Sequence, residues 1–335
     1  MEVKSQQKGA RILGIKYCLG PLSETNEDLL AEHPEWDMTA IEKVTGVRTR
    51  RLVGPNQTAS DLAVEAGEKL LAATGTERGK VDALIFCTQS PDYLLPTTAC
   101  ILQDRLKLST SIIAFDVNLA CSGYVYGLAI SVSLIKSGLA RTVLLLTGDT
   151  YSKFISRDNR TCRPIFGDAA AATLIEGVEG DDLIGPFEFG TDGRGKDKLI
   201  LPSSGVRCSP GRQDPLNLVM DGGAVLMFTM SAVPRAVDAL LKKAGVSKED
   251  VDLYIFHQAS KKVLDNLERI LAIPSEKSFR CYSEIGNTVS ASIPIALHEA
   301  SLQDRLRSGQ RVMLVGFGVG YSWGACLAVW EGERR

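Results

Sequence analysis

The stretch Val81-Asp82-Ala83-Leu84-Ile85-Phe86 is answered in the second half of the chain by Val251-Asp252-Leu253-Tyr254-Ile255-Phe256. Each is an apolar run of strand length, and each is followed by a helix-length stretch, a short strand, a loop, a second helix and another strand. The later elements match as well. One copy runs through Val143-Leu144-Leu145-Leu146 to Ala172-Thr173-Leu174-Ile175-Glu176-Gly177, the other through Val312-Met313-Leu314-Val315 to Cys326-Leu327-Ala328-Val329-Trp330-Glu331-Gly332. Six matched letters would suit any two α/β units, but the matched order of elements points to a duplication. Strands are expected at 83–87, 112–117, 143–147, 253–256 and 312–317, and helices at 62–73, 99–106, 124–137, 232–244, 261–271 and 293–307. That alternation predicts a layered α/β protein. Two such units about an approximate two-fold axis bring equivalent strand ends to the centre, where open α/β sheets place their sites.

With 335 residues, 44% of them hydrophobic, the chain can bury a sizeable core in two domain-sized units, expected at 1–178 and 179–335. The formal net charge of −2, with acids and bases interspersed, argues against nucleic acid or a membrane surface as partner. No stretch is expected to reach the roughly 20 apolar residues that span a bilayer. The N-terminus is polar, without the apolar core of a signal peptide, so a cytoplasmic protein is expected. The eight cysteines (18, 87, 100, 121, 162, 208, 281 and 326) form no CxxC pair. This argues against zinc sites and a disulfide framework, and most of them read as small core residues. No metal and no cofactor are expected.

Asn118-Leu119-Ala120-Cys121-Ser122-Gly123 joins the expected strand 112–117 to the apolar helix after it. Cys121 therefore falls at a strand-to-helix turn, where the helix dipole and free amides favour a thiolate. Ala120 and Gly123 let the backbone turn sharply and let a substrate approach the sulfur. Of the three histidines, His33 lies in a polar stretch and His298 within an amphipathic helix, whereas His257 follows a strand directly. At that strand end an imidazole can act as acid, base or hydrogen-bond donor. Asn287, in Gly286-Asn287-Thr288, lies on the loop that replaces the Cys121 loop in the second copy. A Gly-Asn pair is ordinarily a turn, but the duplication sets it across the pseudo-axis from Cys121. The trio suits two chemistries. In a hydrolase, Asn orients His, His activates Cys, and water finishes the reaction. In a Claisen condensation, His and Asn donate hydrogen bonds to a thioester carbonyl and stabilise its enolate. Spacing does not choose between them.

The chain resembles the β-ketoacyl-acyl-carrier-protein synthase III family over nearly its whole length. The matching motifs run Asp116-Val117-Asn118-Leu119-Ala120-Cys121-Ser122-Gly123-Tyr124, Phe166-Gly167-Asp168-Ala169-Ala170, His257-Gln258-Ala259, Gly286-Asn287-Thr288 and Gly316-Phe317-Gly318-Val319-Gly320-Tyr321-Ser322-Trp323-Gly324. The resemblance implies an α/β thiolase fold of duplicated βαβαβαββ halves in five α-β-α-β-α layers. The first half would carry the nucleophile with acyl-pocket and dimer insertions, the second the His and Asn. It also implies a homodimeric acyltransferase with an acyl-CoA donor and a malonyl thioester on acyl carrier protein as extender. By position, Cys121 would be acylated and His257 with Asn287 would hold the malonyl thioester carbonyl. The amides of Cys121 and Val319 would form the oxyanion hole.

Other positions bear on substrate contacts. Arg160 matches a CoA-contacting Arg of the family. Ser260 stands where the family often has an Asn that touches the pantetheine arm, and Lys262 where it often has Arg. Trp36 resembles a tryptophan that stacks on adenine, though its distance from Thr45-Gly46-Val47-Arg48 is longer than usual. For carrier docking, Met227 replaces a family Lys, while Arg269 and Lys262 remain as basic candidates. The segment 90–98 resembles the loop that lines the acyl pocket across the dimer interface. There Leu95 replaces a bulky Phe, and Arg163 is a charge able to meet a carboxylated or phosphorylated substrate. The alternatives are a specialised acyltransferase with another acceptor, a hydrolase, a silent scaffold subunit and, for want of a suitable Glu, less readily a hydroxymethylglutaryl-CoA synthase.

Overall fold

The structure, a computed structural model, describes residues 8–207 and 217–333. Cys208 and the polar segment 1–7 lie outside these residues. The first half supplies β1 (Lys8–Leu19), α1 (Ala59–Thr74), β2 (Ala83–Cys87), α2 (Thr98–Arg105), β3 (Ile113–Val117), α3 (Gly123–Lys136), β4 (Thr142–Asp149) and β5 (Ala169–Glu179). The second supplies β6 (Ile184–Thr191), α4 (Gly222–Ala244), β7 (Leu253–Phe256), α5 (Lys261–Leu271), α6 (Ser292–Leu302), β8 (Arg311–Gly318) and β9 (Ser322–Val329). One sheet has the order β1-β5-β4-β2-β3, the other β7-β8-β9-β6. β2 pairs in parallel with β3 and β4, and β7 with β8, while β5, β9, β1 and β6 run antiparallel to their neighbours.

The repeated Val-Asp of the two hexamers has a physical reason. Asp82 accepts hydrogen bonds from the amides of Arg141 and Thr142 at 2.7 and 2.9 Å, and Asp252 accepts from that of Arg311 at 2.7 Å. Each aspartate thus fixes the start of the parallel strand beside its own. The repeat is incomplete in one place. The strand that would match β3 in the second half is reduced to a single parallel bridge between Tyr254 and Ser278.

α3 and α6 lie between the two sheets, with α1 and α2 outside the first and α4 and α5 outside the second, giving the five layers. α3 is apolar all round because both its faces are covered. Its Tyr124, Val125, Leu128, Val132 and Ile135 join Ile293, Ala296 and Leu297 of α6 in the central core. α5 shows the contrasting pattern of an outer helix, burying Leu264, Leu267 and Leu271 on one face.

Two helices depart from their expected bounds. α4 begins ten residues before 232, capped by Asp221, whose side chain accepts from the Ala224 amide at 3.0 Å. Gly222 and Gly223, poor helix formers, hide that start. At 23 residues, α4 is long and apolar enough to cross a membrane by length and composition, which corrects the expectation that no stretch is. Here it packs Ala232, Val233, Ala236, Val237, Leu240 and Leu241 into the fold, in contact with β6, β8 and β9. α6 stops at Leu302, just before Asp304 takes a left-handed φ of 56°.

Candidate active site

The site residues follow the carboxyl ends of parallel strands, where helix dipoles and open backbone meet. β3 leads to Cys121, β7 to His257 and β8 to Val319. Asn287 reaches the same place because its loop is pinned to the first half. Its amide donates to the Ile165 carbonyl at 2.8 Å, and the Gly167 amide donates to the Asn287 carbonyl at 3.0 Å. All three side-chain bearers are nearly inaccessible: Cys121 and Asn287 are each 5% exposed and His257 is 2%.

The hydrogen bonds determine how His257 and Asn287 are presented. Ser292 Oγ accepts from the Gln258 amide at 3.4 Å and lies 2.7 Å from His257 Nδ1. With the hydroxyl proton directed to Nδ1, the imidazole proton sits on Nε2. Asn287 Oδ1 accepts from the Val289 amide at 2.9 Å, which turns its Nδ2 toward His257 Nε2 at 3.4 Å. In the tautomer with the proton on Nε2, the two N–H groups converge as a cradle for one carbonyl oxygen. Burial lowers the His257 pKa to about 3, so the ring is neutral at physiological pH and donates as an imidazole.

Cys121 precedes α3, as expected, yet burial pushes its thiol strongly upward and the Asp149 carboxylate adds to this. Burial and Asp149 thus oppose the expected dipole effect. Asp149, fully buried at the end of β4, is itself raised to about 7 by burial. The backbone approaches Cys121 closely at Gly318, where an added Cβ would stand 2.8 Å from the Cys121 Cβ and 3.1 Å from Sγ. Ser322 Oγ stands 2.7 Å from Ser122 Oγ and donates to the Val319 carbonyl at 3.0 Å, which ties this loop to the start of α3.

Two cavities share one wall near these residues. One, of about 250 Å³, runs from Val44 and Lys262 past Ser260 to Cys121, His257 and Asn287. The other, of about 660 Å³, lies on the first-half side and is lined by Gln89, Asn118, Tyr151, Leu218 and Val319. Leu199 borders both.

The remaining expected residues are distributed unevenly. Ser260 and Lys262 line the narrow cavity, with Ser260 also capping α5, whereas Arg160 is exposed and lines neither cavity. Leu95 is 82% exposed and lines neither; its neighbours Tyr93 and Leu94 border the larger one. Arg163 lines neither cavity, and its guanidinium is held by Glu24 at 2.8 Å, Glu32 at 2.7 Å and the Arg157 carbonyl at 2.8 Å. Trp36 is corrected. It is 5% exposed, packed with Leu29 and Met38, and His33 stacks on it at 4.1 Å, leaving no open face for adenine. An apolar ring so near buried Leu29 finds its partner within the fold. Sequence reasoning missed Ser292, Asp149, Tyr151 and Gln89. Of these, only Tyr151 and Gln89 carried a signal, each standing just past a strand end.

Layers and trio together fit a thiolase-fold acyltransferase. Residues 115–193 match the family model for 3-oxoacyl-[acyl-carrier-protein] synthase III, and 241–330 match the model for its C-terminal part. The chain belongs to the β-ketoacyl-acyl-carrier-protein synthase III family. It is 34% identical over 328 residues to β-ketoacyl-[acyl-carrier-protein] synthase III 2 of Streptomyces coelicolor, covering 97% of this chain and 95% of that one. It is 36% identical to the synthase III of Clostridium perfringens, covering 91% and 93%. The crystal structure of the 3-oxoacyl-(acyl-carrier protein) synthase from Burkholderia xenovorans superimposes with a TM-score of 0.92 at 38% identity, covering 97% and 95%.

Proposed function

We propose that the enzyme makes a 3-oxoacyl thioester by a decarboxylating Claisen condensation in two half-reactions. Cys121 Sγ attacks the carbonyl carbon of an acyl-CoA, and CoA leaves as the thiol with the proton that Cys121 gives up. A malonyl thioester on acyl carrier protein then loses carbon dioxide. Its enolate carbon bonds to the acyl carbon, and Cys121 departs as thiolate and regains a proton. His257 Nε2 and Asn287 Nδ2 hold the malonyl thioester oxygen as it becomes an enolate, and the amides of Cys121 and Val319 hold the acyl oxygen.

The observation that carries this reading is the pair of converging donors beside Cys121. A hydrolase would need the histidine to accept the cysteine proton, whereas the condensation proposed here uses the imidazole with its proton on Nε2, which donates. The narrow cavity suits a pantetheine arm, with Lys262 at its mouth and Arg269 farther along α5 as basic contacts for an acidic carrier. We assign the protein to the cytoplasm, where acyl-CoA and carrier protein are made, and to a homodimer. β3 supports the latter, being an edge strand of partly exposed residues, as do the exposed Tyr93, Leu94 and Leu95.

The test is intact-protein mass spectrometry after exposure to a panel of acyl-CoAs, followed by measurement of carbon dioxide release from malonyl carrier protein. Acylation of wild type but not of Cys121→Ala, with condensation lost in His257→Ala and Asn287→Ala, is expected. Loss of acylation in His257→Ala with decarboxylation intact would refute these roles.

A further inference from the structure

Three polar side chains form a chain of hydrogen bonds along the larger cavity. Gln89, Asn118 and Tyr151 follow the carboxyl ends of three neighbouring strands, β2, β3 and β4. The Tyr151 hydroxyl donates to Gln89 Oε1 at 2.8 Å, and Gln89 Nε2 donates to Asn118 Oδ1 at 3.0 Å. All three line the 660 Å³ cavity, among the apolar walls of Leu199, Leu218 and Val319. Tyr151 is 4% exposed and packs in one cluster with Cys121 and Phe166, so the chain begins next to the nucleophile.

This surface is unsuited to a plain hydrocarbon. Covering it with methylene groups would strip water from amides and a phenol without replacing their hydrogen bonds, which is unfavourable. After the internal bonds are counted, Asn118 Nδ2 and the second Nε2 proton of Gln89 remain as donors, and the Tyr151 oxygen can still accept one bond. The complementary acyl group therefore carries an oxygen. An anionic group is disfavoured, because the cavity presents Asp92, its Lys196 is paired with Asp197, and Arg163 is held elsewhere. A hydroxyl or oxo group matches the free amide and phenol positions without a charge.

Resting on the acyl-Cys121 reading above, we propose that the donor is a neutral oxygenated acyl-CoA. It would bear a hydroxyl or oxo group a few carbons from the thioester, recognised by Tyr151, Gln89 and Asn118. These residues set specificity. They take no part in the bond changes.

The experiment compares kcat/KM for acylation of Cys121 by 3-hydroxybutyryl-CoA, butyryl-CoA and glutaryl-CoA, read by intact-protein mass spectrometry. 3-Hydroxybutyryl-CoA is expected to exceed butyryl-CoA by about tenfold or more, since each unmatched neutral hydrogen bond costs roughly that factor. Tyr151→Phe, which keeps the ring against Phe154 and Phe166, lowers that ratio about tenfold, and the exposed Asn118→Ala lowers it too. Equal or greater rates with butyryl-CoA or glutaryl-CoA overturn the proposal, as does a ratio unmoved in both variants. Failure of all three donors to label Cys121, with the thiol still alkylated by iodoacetamide, overturns the parent reading and this one with it.

Discussion

Ser290 of the second half donates its hydroxyl to the buried carboxylate of Asp149 in the first, across 2.6 Å, directly behind the nucleophile. The Ser290 and Gln89 amides, at 3.2 and 2.8 Å, complete the carboxylate's shell. Burial nevertheless wins over these three bonds and raises the pKa from 3.8 to about 7. Between those two values the folded protein binds the proton that the unfolded chain has released. Asp149 therefore contributes stability at low pH that is lost as pH rises toward 7. Asp149→Asn removes this term, so the variant's melting temperature relative to wild type improves between pH 4 and 8. Because Asp149 also raises the Cys121 thiol, the variant alkylates faster with iodoacetamide at pH 8. Parallel melting curves and unchanged alkylation would contradict this assignment.

Gly318 is the position where β8 comes nearest to the nucleophile. A Cβ there would lie within 2.8 Å of the Cys121 Cβ, and neither neighbour is a flexible side-chain end. Gly318→Ala must therefore displace either Cys121 or the strand. A shift near 1 Å at reacting atoms costs about a hundredfold in rate. Acylation of Cys121 is expected to fall by that order while the far-UV circular dichroism stays native.

How legible all this was in the sequence depended on whether a residue acts through its neighbours in the chain or through the fold. Asp82 and Asp252 were visible because each serves a strand start that recurs with the duplication. Cys121, His257 and Asn287 were visible because strand ends and paired loops locate them. Trp36 and Arg163 misled because their partners, His33 and the Glu24 and Glu32 carboxylates, come from a four-residue strand (Leu22–Thr25) and a seven-residue helix (Asn26–Glu32) with its cap, too short for any periodicity to place. Ser292 and Asp149 carried no signal at all. A serine at the start of a helix and an aspartate at a strand end are common, and only the assembled halves give them a histidine and a thiol to act on.

The edge strand β3 and the loop beside it offer a prediction about assembly. Leu94 and Leu95 are 77% and 82% exposed, next to a strand with an unpaired edge. Light scattering should give a particle of twice the 36.2 kDa chain mass. Leu94→Asp with Leu95→Asp, on an exposed loop outside the core, should shift the population toward the monomer. A wild-type monomer would refute the homodimer.

Ser292 positions the imidazole without touching any substrate. In the proposed tautomer its hydroxyl, 2.7 Å from His257 Nδ1, donates there, and the single imidazole proton sits on Nε2. Ser292→Ala frees Nδ1 and lets the ring adopt the opposite tautomer, whose Nε2 lone pair faces the developing enolate instead of stabilising it. Loss of one such donor lowers kcat by about a hundredfold or more. The condensation half-reaction should fall by that order while acylation of Cys121 remains near the wild-type rate. Ser292→Thr, which keeps a hydroxyl, should recover much of the loss. The pH profile adds a second check. The His257 pKa is lowered by burial from 6.5 to about 3, so protonation of this ring does not limit condensation between pH 5 and 7. Within that window the unfolded chain binds the proton that the fold refuses. Stability attributable to His257 therefore rises with pH up to about 6.5. An equal loss of acylation and condensation in Ser292→Ala would reduce Ser292 to a packing residue, and a condensation profile with an acid limb near pH 6.5 that His257→Gln abolishes would show that the imidazole titrates in the folded enzyme.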